Sequence, residues 1–287
     1  MAITIEGPQD LKSIFQNRRI HSYAELRDGF MPHLQMIKNS TALEYVEYFR
    51  GQGKDSYKLE NGLTRFTKDP TKMAQIDVEL FNRFKTEIYN DDLTKLEDSL
   101  QDKNAESHEL DWKLFFQAQH LGLKTRLMDW SLNWKIGLLF CVENETDFGS
   151  DGQFWVFFCP KRWRYNYEER KRLYAKNPFE INEPHMVHIP FLLDEGWEEQ
   201  VGRQRVARQS GRFFITSYEQ SVSPIETIPE IDQYIIKFII DGEAKRMIKK
   251  ELEDEGITLD WAYYRNQENV DATIKNINDE TIDSYLS

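Results

Sequence analysis

The segment that most restricts the possible folds is Gln153-Phe154-Trp155-Val156-Phe157-Phe158, opened by the turn signal Gly149-Ser150-Asp151-Gly152 and closed by Pro160. A short apolar run with no alternation reads as a strand buried on both faces. Such a strand needs cover above and below, so the chain has to build a layered core. Its 287 residues, 40% hydrophobic and 13% aromatic, can supply that core within one elaborated domain.

Charge and cysteine usage narrow the functional classes. The balance of 37 basic against 49 acidic residues, a net charge of −12, argues against a broad grip on phosphate backbones and leaves room only for a local basic groove. Cys141 and Cys159 sit inside apolar runs and read as reduced packing residues. The apolar stretches Ile136 to Val142 and Phe154 to Cys159 fall far short of the roughly 20 residues that cross a bilayer. Met1 to Pro8 lacks a basic flank followed by an apolar core. The expectation is a cytoplasmic chain with no membrane partner.

Apolar spacing predicts an N-terminal helical wrap within residues 1–40, helical over 9–38 with Asp10 or Ser22 as caps. Ala42 to Gly53 changes to a strand that ends in a glycine pair, with Arg50 at its end. Helices are predicted over residues 72–90, over Glu109 to Leu121 with Gly122 as its stop, and through Trp134 to Val142 with Ser131 or Asn133 as cap. Later come strands at residues 211–216 and 234–240, and a helix from Ala244 to Glu255 stopped by Gly256. Residues 261–287, rich in Asn and Asp, read as a weakly structured tail or surface lobe. The basic, aromatic stretch 161–183 suits either nucleic-acid contact or a solvated amphipathic helix.

Several familiar sites are absent: no phosphate-binding loop ending in Gly-Lys-Ser/Thr, no Gly-x-Gly-x-x-Gly, no Cys-x-x-Cys, no His-Glu-x-x-His. His185 and His188, three apart on an extended edge, point to opposite faces; no metal is expected. Polar clusters remain in three segments: Phe49-Arg50-Gly51-Gln52, Gln119-His120-Leu121-Gly122 with Thr125-Arg126-Leu127-Met128-Asp129-Trp130, and Arg205 with Gln209-Ser210-Gly211. A salt bridge between Arg126 and Asp129 is the expected lock of the middle turn, with Trp130 in the core. At Arg50, Gly51 would let a phosphate or ribose approach the backbone while the guanidinium forks onto its oxygens.

Phe49-Arg50-Gly51, followed by Gln119 to Ser131 and the helix from Gly137 to Val142, resembles the FRG domain, a bacterial and phage family named after that tripeptide. The resemblance covers roughly residues 22–260, and the domain itself is placed at 41–260. Leu121, Lys124, Met128, Asn133 and Gly137 depart from the residues usual in the family. More distantly, the order of motifs is similar to that of arginine-type ADP-ribosyltransferases. That similarity implies a catalytic set of Arg50, Thr125 and Gln209. It also implies an NAD site drawing on Arg50, Gly51, Gln119, His120, Thr125 and Arg205. Gln209 would occupy the place of a catalytic glutamate. An amide cannot act as a base, so Asp129 or Glu219 would have to supply the carboxylate.

The implied fold is α+β: a small, mostly antiparallel split sheet with helices around it, ADP-ribosyltransferase-like. The implied function is NAD-dependent transfer onto a nucleic acid or protein in conflict between bacterium and phage. The alternatives are a catalytically silent module that binds a nucleotide or nucleic acid, and a protein-interaction module.

Overall fold

The computed structural model describes residues 8–34, 45–87, 108–164, 170–187, 209–263 and 268–286. Among these residues seven strands form one sheet: β1 (Arg18–Ile20), β2 (Tyr45–Gln52), β3 (Met128–Ser131), β4 (Gly152–Pro160), β5 (His185–Val187), β6 (Gly211–Ile215) and β7 (Ile235–Ile240), in the order β1-β7-β4-β2-β3-β6-β5. The longer helices are α1 (Pro8–Phe15), α2 (Pro70–Glu87), α3 (Glu109–Leu121), α4 (Trp134–Val142), α5 (Lys245–Asp254) and α6 (Glu268–Leu286). The fold is therefore α+β with a mixed sheet: β1 and β7 run parallel, and the remaining ladders are antiparallel.

The doubly buried strand is β4, buried along its whole length and paired to β2 on one side and β7 on the other. Alternate residues serve opposite faces. Phe154 packs with Phe49, Phe238 and, through them, Phe15 and Phe30 of the N-terminal segment. Phe157 meets Trp130, Trp163 and Phe214 on the other face. A second core joins α2, α3 and α6 to β6, where Phe116 stacks on Phe213 at 5.2 Å.

Where a small split sheet was expected, the described strands form one continuous sheet that almost parts between β2 and β3. Those strands share the single residue pair Phe49↔Ser131. The N-terminal wrap is not one helix either. Asn17, at φ 60°, turns the chain out of α1, and β1 then adds to the edge of β7. The chain becomes helical again at a π-turn over Glu25–Phe30, where Ser22 Oγ accepts from Glu25 N at 3.2 Å. Residues 35–38 lie outside the described set. At the other end, the expected loose tail contains α6, whose Ile274, Ile277 and Ile282 are buried in the second core. The predicted stops are in place: Gly122 has φ 100°, Gly256 has φ 78°, and Asn133 Oδ1 accepts from Lys135 N at 3.0 Å.

Among the described residues no group of His, Cys, Asp or Glu could hold a metal ion, and no helix is long and apolar enough to cross a membrane. His185, 4% exposed at the start of β5, is held neutral by burial, with Lys176 adding to the effect; its pKa falls to about 4. In the unfolded chain it would titrate near 6.5. A depressed folded pKa contributes stability above about pH 6.5 that is lost as pH falls toward 4, here on the order of 3 kcal/mol. Urea denaturation at pH 7 and pH 4.5 is expected to show a smaller acid loss in His185→Gln than in the wild type. Equal losses would contradict the assignment.

Candidate active site

The cleft opens where β2 and β3 diverge beyond their single shared pair. Arg50 sits opposite Trp155 of β4 in the β2 ladder, and its Nη1 donates across the gap to the backbone oxygen of Asp129. This cross-strand donation takes the place of the missing ladder and fixes the guanidinium at the floor of the cleft.

The end of α3 supplies the next wall. Thr125 Oγ1 accepts from Leu127 N at 3.1 Å and donates to Gln119 Oε1 at 2.6 Å, while Gln119 Nε2 donates to Asp129 Oδ2 at 3.0 Å. The Gln119 carboxamide has its oxygen and nitrogen ends both committed, so it can adopt only one orientation. Opposite lies the turn at Asn61-Gly62. Asn61 Oδ1 accepts from Leu63 N and Thr64 N, each at 2.9 Å. Gly62 lies against the Lys124–Thr125 backbone, where a Cβ would stand 3.1 Å from Thr125 O.

The enclosed space is about 180 Å³. Its charged lining is mixed: Arg50, Arg65 and Lys124 with Glu60 and Asp129, interleaved with the amides of Asn61 and Gln119. Glu60 pairs with Lys68 at 2.6 Å. Such a set can neutralise an anion of more than one charge while a carboxylate accepts from neighbouring hydroxyl groups.

The residues expected from the sequence divide. Arg50 and Gln119 line the cleft. Thr125 is fully buried and acts on the cleft through Gln119. His120 packs its ring against Phe213 at 5.2 Å. Gly51 faces α4: a Cβ there would be 2.7 Å from Cys141 Sγ and 2.8 Å from Cys141 N, so the glycine admits a helix, whatever else it does. Gln209 is buried, donates through Nε2 to Ala262 O at 3.3 Å, and does not line the cleft. Arg205 lies outside the described residues. Of the carboxylates considered, Asp129 lines the cleft, whereas Glu219 does not.

The expected Arg126–Asp129 salt bridge does not form. Arg126 points into the core, where its Nε lies 3.5 Å from Asp77 Oδ2. Asp129 instead stands at the cleft mouth holding Gln119. Trp130 is buried, as anticipated. In the basic stretch, Arg162 lies over Trp163 and Tyr234, and residues 165–169 are outside the described set. The wall at Glu60, Asn61, Gly62 and Arg65 was missed; the available signal was the Asn-Gly dipeptide, a strong turn former.

This is an α+β protein with a polar cleft set at the near-break of a mixed sheet. Residues 46–150 match the FRG domain model, so the chain carries an FRG domain in that stretch. The match takes in Arg50, the Asn61-Gly62 turn, Gln119 and Asp129, and stops before β4. No curated protein and no solved structure matches the chain.

Proposed function

We propose that the cleft binds a nucleotide of the ADP-ribose type, and that the protein is a nucleotide-binding FRG-domain protein. The carrying observation is the convergence of Arg50, Arg65 and Lys124 with the Asp129 carboxylate and the locked Gln119 amide in one space. Phosphate oxygens would be taken by the cations, and ribose hydroxyls would donate to Asp129. At about 180 Å³ the cleft is smaller than the roughly 300–1,000 Å³ that encloses a whole drug-sized ligand. It therefore suits the phosphoribosyl end of the ligand, with the rest lying outside.

A second reading, NAD-dependent transfer of ADP-ribose onto a protein or nucleic acid in bacterium–phage conflict, is favoured by Asp129. This carboxylate, in place of Gln209, would offset positive charge developing on the ribose as nicotinamide leaves. Thermal stability with NAD, ADP-ribose and inorganic phosphate, together with nicotinamide release from NAD, separates the readings. Stabilisation without release supports the binding module. Release that disappears in Asp129→Asn supports transfer. No stabilisation and no release would overturn both.

A further inference from the structure

We infer that the C-terminal helix α6 is a working part of the cleft and that Asn278 is its positioning residue. The rim turn presents the carbonyl of Gly122 and the N–H of Lys124 to α6. One carboxamide takes both: Lys124 N donates to Asn278 Oδ1 at 2.8 Å, and Asn278 Nδ2 donates to Gly122 O at 3.1 Å. The clasp is shielded, with Asn278 only 6% exposed. It holds the stretch that carries Lys124 against Gly62 and leads into Thr125, whose hydroxyl orients Gln119.

The helix bearing Asn278 is itself anchored. Ile274, Ile277 and Ile282 are buried, while Arg83 of α2 donates to Thr281 Oγ1 at 3.0 Å and to Glu280 Oε2 at 2.9 Å. The family match ends at residue 150, and α6 starts at Glu268, so the clasp reaches the cleft from outside the matched region. Formation of the clasp and occupation of the cleft are then coupled: each stabilises the other by the same free energy.

The coupling to a ligand rests on the nucleotide reading above; the bracing of the rim does not. Hydrogen–deuterium exchange of the full chain separates them. In Asn278→Ala, amides within residues 122–129 are expected to exchange about tenfold faster, the effect of losing hydrogen bonds of ordinary strength, while β4 and β7 keep their protection. Ile277→Val loosens the packing of the same helix but leaves the clasp, and is expected to leave 122–129 unchanged. ADP-ribose affinity should fall in Asn278→Ala and hold in Ile277→Val. Unchanged exchange at 122–129 in Asn278→Ala, or a uniform rise over the whole chain, would overturn the bracing role. A wild type that ignores ADP-ribose would overturn the nucleotide reading alone, because exchange decides the bracing by itself.

Discussion

Replacing Arg126 with methionine is expected to destabilise the fold by about 3–5 kcal/mol, the range for removing one partner of a buried ion pair. Arg126 is 1% exposed, and its guanidinium works in three directions. It donates to the carbonyls of Thr216, at 2.8 Å, and Pro178, which fixes two loops against the approach to β3. It lies 4.0 Å over the Tyr218 ring. It also faces the fully buried Asp77, which accepts from the Tyr218 hydroxyl at 3.0 Å. Burial raises the Asp77 carboxyl pKa against the pull of Arg126 and Tyr218. Without Arg126 that carboxylate loses its counter-charge and the two carbonyls lose their donor. Lysine offers a point charge in place of a planar fork, so Arg126→Lys should recover only part of the loss. Urea denaturation provides the measurement, and Asp77→Asn in the same background should restore some stability. A loss below about 1 kcal/mol in Arg126→Met would contradict this role, since that is the range of a surface pair.

The second large effect is expected at Gly51. A methyl group there would enter the space of the Gly137 carbonyl oxygen as well as that of Cys141. Gly137 is in turn limited by Phe49, with 2.9 Å between a Cβ at Gly137 and the Phe49 Cβ. Helix α4 and strand β2 thus touch backbone to backbone, and neither can retreat without opening the core around Phe154. Gly51→Ala should cost about 3 kcal/mol or more, at the upper end of overpacking effects, and lower the melting temperature with or without ligand. A ligand-approach role alone would leave the apo protein's stability unchanged. Wild-type stability in Gly51→Ala would therefore overturn the packing account.

How far the fold could be read depended on whether the information was local. Helices α2, α3 and α5 carry apolar periodicity in their own residues, with glycine stops just after α3 and α5, α4 follows its Asn133 cap, and β4 announces itself by an unbroken apolar run. Strand β1 does not: Arg18, Arg19 and Ile20 become a strand because β7 offers an edge, with Asn17 turning the chain onto it. Helix α6 is polar enough to pass for a tail, although Ile274, Ile277 and Ile282 marked one face, and its order comes from the groove between α2 and α3. At the cleft, Arg50 and Gln119 were identified from the sequence. The partner of Arg126 was not, since Asp77 stands far away in the chain and nearby Asp129 was the obvious choice. Asn278 was hidden for the same reason, as its partners at Gly122 and Lys124 are joined to it only by the fold.

The central claim is that Arg50 and its neighbours form a nucleotide site. Calorimetric titration of the wild type and of Arg50→Ala with ADP-ribose tests it most directly. The expected result is saturable binding to the wild type that weakens at least about tenfold in Arg50→Ala, as expected when a charge-assisted contact is lost, while the variant remains folded. No heat of binding in the wild type, or equal affinity in the two proteins, would contradict it.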